Sequence, residues 1–300
     1  MGNNKQIKGK IKIVSNLQKI MKAMEIVSTI KLQKSKENVQ HFNDFMMTFL
    51  NVLQIVQNRI DIFNIDKRKR DSGGRRLLIV VTSDKGLCGS INSKLLKIVQ
   101  QKYSHIKYKT DVIAIGKKGL EFFVRNGRNI VGNAHIKDSF SQDDLKGVFS
   151  FLKDAIENQK YAKIKVFFNY FKNTVVQIPT RFKVYPLDKE SFDKFLFDIN
   201  MKLENIKTTE NKYLMIEPDK YNYQKNLVQI LIESITYAAV LQNKAGEHAS
   251  RMIAMKNAKD NCNSLNKALS IVYNKNRQAK ITQEISEIVS AKIAIEGQSD

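Results

Sequence analysis

The chain has 300 residues, 42% of them hydrophobic, and carries a formal net charge of +22 with only two cysteines. That length supports a substantial buried core and about two domains. No apolar run approaches the ~18 residues of a membrane span, and Cys88 and Cys262 match neither a disulfide framework nor a metal spacing.

The N-terminus, Met1-Gly2-Asn3-Asn4-Lys5, lacks the apolar region of a signal peptide. Gly2 is not read as a myristoylation signal, because Gln6 stands where Ser or Thr is needed. Between Lys10 and Ser72 there is neither glycine nor proline, so nothing local breaks a helix. Ile13, Leu17, Ile20, Met24 and Val27 form one apolar stripe at helical spacing, and Ile7, Ile11, Val14 and Met21 form a second beside it. Two stripes leave the helix apolar over much of its circumference, so a simple helical hairpin competes with a helix covered by something more.

Lys5, Lys8, Lys10, Lys12, Lys19 and Lys22 all precede the first acidic residue, Glu25. A second cationic cluster, Lys67-Arg68-Lys69-Arg70 with Arg75 and Arg76, flanks Gly73-Gly74 and reads as a solvated linker. Charge of this kind points to nucleic acid, anionic lipid or an acidic protein. A chain rich in Lys, Asn and Ile also carries positive charge through composition alone.

Leu77-Leu78-Ile79-Val80-Val81-Thr82 is a continuous apolar and β-branched run, the pattern of a strand buried on both faces. The turn Ser83-Asp84-Lys85-Gly86-Leu87-Cys88-Gly89 follows, and then a helix to Tyr103. A strand over 111–115 ends at Gly116 and leads into a helix through Phe122, and 141–158 reads as another helix. Further strands are expected over 163–171, 174–185 and 213–216, with Pro179 placing the second of these near an edge. Residues 188–211 read as irregular or partly helical. Strand–helix alternation implies a mainly parallel, Rossmann-like α/β domain.

The turn after the first strand occupies the place of phosphate loops in doubly wound folds. Asp84, Gly86 and Gly89 are its candidate residues. It lacks both Gly-x-Gly-x-x-Gly and Gly-Lys-Ser/Thr, so a tight structural turn competes with a nucleotide site. The scattered His41, His105, His135 and His248 offer no metal-ligand spacing, and no catalytic pair appears.

From Asp219 to Ala294 there is no proline and one glycine, Gly246. Leu227, Leu231, Ala238, Leu241, Ala245, Met252, Met255, Cys262, Leu265, Leu269 and Val272 recur at steps built from three and four. A single helix over this stretch spans about 110 Å. The expected fold is therefore a long antiparallel coiled coil of the terminal helices with the α/β domain inserted between them. Its segments are a helix over 1–60, a basic linker over 61–76, the α/β domain over 77–216 and a helix over 217–300.

Specific motifs then bring a family into view. Tyr273 to Val289, YNKNRQAKITQEISEIV, closely resembles the C-terminal signature of the gamma subunit of F-type ATP synthases. So do Glu247-His248-Ala249-Ser250-Arg251-Met252, the stretch 254–258, the N-terminal run 18–27 and the turn 83–89. The resemblance implies a central rotor shaft projecting into a ring of alpha and beta subunits. It places the α/β domain against an epsilon subunit and a membrane-embedded ring of c subunits. Catalysis and Mg-ATP or Mg-ADP would belong to the alpha/beta ring, with no cofactor on this chain.

Met24 matches the family's methionine near the coupling contact, and Arg251, Gln278, Thr282 and Glu284 match positions that meet or support beta. Lys19 and Lys22, with Arg251, are expected to face an acidic loop of beta. Ser90 departs from the family by replacing a usual glycine. The cysteine-bearing insertion of chloroplast versions is lacking. Without a transit peptide, the resemblance suggests a peripheral protein on the cytoplasmic face of a bacterial inner membrane.

Two other classes stay open at this level. A basic coiled-coil protein would bind nucleic acid through Lys5–Lys22 and Lys67–Arg76, with affinity falling steeply in salt; the lack of interleaved aromatics counts against it. An enzyme would bind nucleotide specifically on residues 77–187.

Overall fold

A computed structural model describes residues 2–57, 74–137, 140–198, 217 and 219–296. Two helices dominate: α1 (Gly2–Gln57) and α6 (Lys220–Glu296). Between them lie β1 (Arg76–Val81), α2 (Ile91–Tyr103), a 3-10 segment (Ser104–Lys109), β2 (Thr110–Ile115), α3 (Lys117–Arg125) and β3 (Asn129–Ala134). A 3-10 turn (Gln142–Leu145), α4 (Lys146–Glu157), β4 (Lys163–Phe171), β5 (Gln177–Tyr185) and α5 (Lys189–Asp198) complete the order. The expected linker cluster Lys67–Arg70 and the strand over 213–216 lie outside the described residues. Among those residues, no helix is long and apolar enough to cross a membrane.

The start of α6 has a local cause. Asp219 accepts a hydrogen bond from the Asn222 backbone at 2.9 Å and another from its side-chain amide at 2.6 Å. These bonds satisfy a helix-terminal N–H and hold the Asp219 carboxyl below its usual pKa.

Contacts divide the chain into two compact units, Ser28–Arg251 and Met1–Val27 with Met252–Asp300. In the larger unit a five-stranded sheet has the order β3-β2-β1-β4-β5. Its first four strands are parallel, and β5 runs antiparallel at the edge. Pro179 sits in that edge strand, where its missing N–H costs least. Leu77, Ile79 and Val81 of β1 face one core, packed with Met46 and Leu50 of α1, Phe149 and Leu152 of α4, and Leu231 and Ile235 of α6. Leu78 and Val80 face the other, with Leu95, Val99 and Tyr103 of α2 and Phe123 of α3. Burial on both faces is why β1 reads as an unbroken apolar run. Each such side chain contributes about 1.5–3 kcal/mol on leaving water.

The sequence predicts four of these five strands, and its fifth, over 213–216, lies outside the described residues. It passed over β3, whose residues Asn129-Ile130-Val131-Gly132-Asn133-Ala134 are only partly buried. An edge strand with polar residues and a glycine shows no strong period. The helix expected over 141–158 is split, with a 3-10 turn and a capping box at Ser141 and Asp144 before α4 begins.

At the ends of β1 and β2 the backbone closes tightly. Gly116 has φ +98°, and a Cβ there would stand 2.2 Å from the Thr82 carbonyl oxygen. The Thr82 hydroxyl accepts the Gly119 N–H at 2.8 Å, which draws the start of α3 onto the strand end. Gly116→Ala is expected to lose about 2–3 kcal/mol through left-handed strain and this clash, read as an earlier urea midpoint.

The smaller unit pairs the free ends of both helices. Gln18 donates to Asn263 at 2.6 Å and Lys259 pairs with Glu25 at 2.8 Å, so partners descend along α6 as they climb α1. The antiparallel arrangement agrees with expectation. Ile7 and Val14, from the second apolar stripe, are buried here. The first stripe stays open, with Ile13 61% and Ile20 49% exposed. On α6, every described side chain from 277 to 292 is exposed, including Ile281, Ile285, Ile288 and Val289.

Candidate functional site

The strand order 3-2-1-4-5 reverses direction between β1 and β4. In open α/β sheets the crevice beyond the strand ends at that point takes the ligand. Here the turn Ser83–Gly89 leaves β1, and Asn169 to Phe171 end β4. Both are covered by the middle of α6.

Several contacts make this cover. Gln242 accepts the Phe171 N–H at 3.3 Å, and Asn243 accepts both the N–H and the side-chain amide of Asn169, at 3.2 and 2.9 Å. A Cβ on Gly246 would come within 3.3 Å of Ile91 and of Gln177, so the helix passes where only a hydrogen fits comfortably. Ser250 donates to the Cys88 carbonyl at 2.6 Å. The Arg251 guanidinium reaches the Lys85 carbonyl at 3.2 Å and the Gly86 carbonyl at 3.3 Å.

The polarity of the turn is informative. A phosphate loop presents backbone N–H groups to its ligand. This turn presents the carbonyls of Lys85, Gly86 and Cys88 to donors on α6. The Ser83 N–H is already taken by Asn92 at 3.1 Å. The crevice is thus built to grip a helix, and its acceptor lining suits no phosphate.

Each candidate in the turn has a structural task. The Asp84 carboxylate accepts the N–H of Lys117 at 2.9 Å and of Ile136 at 3.2 Å, and lies 3.2 Å from His135 Nδ1. It therefore caps α3 and ties down the segment after β3. Gly89 has φ +62°, which favours glycine, whereas Gly86 has open space on its Cβ side. Ser90, at an ordinary φ of −94°, fits its place without strain. Both cysteines are free thiols; buried Cys88 accepts an Asn92 amide hydrogen at 3.3 Å.

A charged cluster completes the grip. Glu247, 3% exposed, lies 2.8 Å from Arg251 and 3.7 Å from Lys244. Lys244 also donates to the Ile136 carbonyl at 2.9 Å. One carboxylate thus joins two cations that reach the turn after β1 and the segment after β3. Arg251, expected at a partner surface, is engaged inside its own unit.

The remaining candidates lie in the smaller unit. Lys19, Lys22 and Met24 are exposed on α1. Gln278, Thr282 and Glu284 are exposed on α6, with Glu284 3.1 Å from Lys280. Sequence reasoning missed Asn169, Gln242, Asn243, Lys244 and Ser250 as gripping residues. Their signal was a polar run, Gln242-Asn243-Lys244 followed by Glu247-His248, inside an otherwise apolar helix stretch.

Comparison with known proteins is consistent over the whole length. A family model described as ATP synthase matches residues 3–295. The ATP synthase gamma chain of Verminephrobacter eiseniae is 34% identical over 304 aligned residues, covering 99% of this chain and 100% of the relative. That of Xanthomonas axonopodis pv. citri is 36% identical, covering 98% and 100%. Among solved structures, a chain of the Euglena gracilis mitochondrial ATP synthase (OSCP/F1/c-ring) is similar in fold. Its TM-score is 0.67 at 17% identity, covering 100% of this chain and 96% of that one. A chain of the Tetrahymena thermophila mitochondrial ATP synthase central stalk and c-ring gives 0.57 at 22% identity, covering 80% and 99%. With full-length relatives above 30% identity and these two helices flanking the sheet, the chain belongs to the ATP synthase gamma chain family.

Proposed function

We propose that this chain is the rotor shaft that couples proton flow through a membrane sector to ATP synthesis in an alpha/beta catalytic ring. As a gamma chain it is a non-catalytic subunit of the synthase. Nucleotide and Mg²⁺ are handled by the ring. The observation that carries this reading is the stripe Ile13, Leu17, Ile20, Met24 and Val27, left open although α6 already lies against α1. Paired helices that satisfied each other would not keep a second apolar stripe in water. A sleeve of subunits around them accounts for it, and for the apolar residues along α6 from Ile281 to Val289.

An asymmetric shaft turning in such a sleeve meets each beta subunit with a different face. It then stabilises a different conformation of each site, which shifts populations through binding, synthesis and release. Lys19, Lys22, Met24, Gln278, Thr282 and Glu284 are the proposed contacts. Arg251 acts within the larger unit by seating α6 on the sheet. The larger unit is the part proposed to meet an epsilon subunit and the c ring, on the cytoplasmic face of a bacterial inner membrane.

The test is co-purification from native membranes with a tagged chain, which is expected to bring down alpha and beta subunits. Hydrogen exchange adds the position. Amides over 5–25 and 275–292 are expected to gain protection when alpha and beta are added to the free chain. Equal exchange in both states overturns burial in a ring.

A further inference from the structure

The face of the sheet beneath α2 carries a group of cations that the rotor reading does not use. On β4, Lys163, Lys165 and Phe167 alternate onto one side, and Phe167 belongs to the core with Leu78 and Tyr103. The register sets Arg76 of β1 opposite Lys163. It also sets Arg181 of β5 opposite Phe167 and Lys183 opposite Lys165. Opposite residues on neighbouring strands stand about 5 Å apart and diagonal ones about 7–8 Å. Lys165 therefore has Arg76 and Arg181 on its two diagonals and Lys163 two residues away on its own strand, a row of four cations centred on it.

Like charges at that spacing repel, and natural sheets relieve them with carboxylates. Lys183 has such relief in an ion pair with Asp188. Among the described residues, no carboxylate pairs with the other four. Lys165 rests instead over the Tyr103 ring, its Nζ 5.6 Å from the centroid. An aromatic face supplies only a fraction of a counter-charge. Burial, and then Arg181, Lys163 and Arg76, push the Lys165 ammonium down to about 8. Proximity in the register and the want of a paired carboxylate among the described residues agree on one point: the protein's own side chains supply no counter-charge to these four cations.

We propose that Arg76, Lys163, Lys165 and Arg181 form a binding site for a phosphate-class anion. A guanidinium fork on either side of Lys165 matches phosphate oxygens in pairs, and the ammonium groups add point charges. The same chemistry is offered by free inorganic phosphate and by the headgroup of an anionic phospholipid. The site is independent of the coupling reading, since none of its residues lies in the smaller unit.

The site carries a pH signature. The groups facing Lys165 are Arg76 on β1, Lys163 on its own strand, Arg181 and the Asp188-paired Lys183 on β5, and Tyr103 on α2. A bound anion favours the protonated ammonium and raises its pKa above 8, so binding takes up a proton there. Affinity is whole below pH 8 and falls as pH rises beyond it, about tenfold per unit until the bound-state pKa is reached.

Inorganic phosphate is titrated into the full chain by calorimetry at pH 7 and pH 9 and constant ionic strength. In parallel, the chain is sedimented with phosphatidylglycerol or phosphatidylcholine vesicles. One saturable phosphate site is expected, weaker by about tenfold at pH 9. Lys165→Arg, which keeps charge and stacking but does not titrate, is expected to bind without that pH step. The pair Lys165→Gln with Arg181→Gln is expected to weaken binding at least tenfold at pH 7. Retention only on phosphatidylglycerol, with the same dependence on these variants, identifies the headgroup as the source. Absence of binding in both arms overturns the proposal. So does an equal loss in a Lys94→Gln, Lys97→Gln control, because those exposed lysines lie on the outer side of α2.

Discussion

Replacing Glu247 by alanine is expected to destabilise the chain by about 3–5 kcal/mol, the range for stripping one partner from a buried ion pair. Its carboxylate lies between Arg251 and Lys244, at 2.8 and 3.7 Å. Their side chains are only 13% and 7% exposed. Without Glu247, two largely buried cations face each other across the cavity it leaves, and the grip on the turn after β1 loosens. Thermal unfolding is expected about 10 °C lower for a unit of this size. Glu247→Gln keeps the volume and one acceptor for Arg251, so its loss is expected to be smaller. A change in Glu247→Ala below about 1 kcal/mol, the value of a solvent-exposed pair, would remove the cluster from the account of how α6 is held.

The second large effect concerns coupling. Met24→Lys places a long cation in the open stripe of α1, beside the exposed Lys19 and Lys22. If the stripe meets an acidic loop of beta, as proposed, the added cation is expected to make an ion pair that stabilises one rotor angle over the others. A bias of about 1.4 kcal/mol changes that population tenfold. Assembly is expected to persist, because the substitution lies on an outward surface, while proton pumping falls more than ATP hydrolysis. The ratio of ATP-driven proton uptake to hydrolysis in membrane vesicles reads this directly, and an unchanged ratio rules out the role given to Met24. Second substitutions at Glu284 or Arg251 are expected to restore part of the ratio by rebalancing charge. Glu284 is the cleaner test, since it only pairs with exposed Lys280, whereas Arg251 also holds the turn.

The two predictions separate the tasks of the two units. Glu247 belongs to the larger unit, where α6 is seated on the sheet, and its loss is read as stability. Met24 belongs to the smaller unit, where apolar surface stays open, and its replacement is read as coupling with the fold intact.

Much of this organisation was legible in the residues themselves. The freedom from glycine and proline over Lys10–Ser72 and Asp219–Ala294 determined the long terminal helices, because nothing interrupts the hydrogen-bond ladder. The run 77–82 announced a central strand because burial on both faces demands apolar residues at every position. The edge strand β3 was not legible, since a half-exposed strand needs neither a period nor a β-branched run. Which of α1's two stripes would be covered was also beyond local pattern. Both have helical spacing, and only the packed structure buries Ile7 and Val14 while leaving Ile13 and Ile20 open. The turn after β1 shows the same division most sharply. Its glycines and position suit a phosphate loop or a plain turn equally well in one dimension. Whether carbonyls or N–H groups point into the crevice is decided by backbone torsions and by α6, which arrives from more than 160 residues away with Ser250 and Arg251 already placed as donors. Sequence sets which segments can be helix or strand, because those preferences are local; tertiary structure alone decides what fills the space between them.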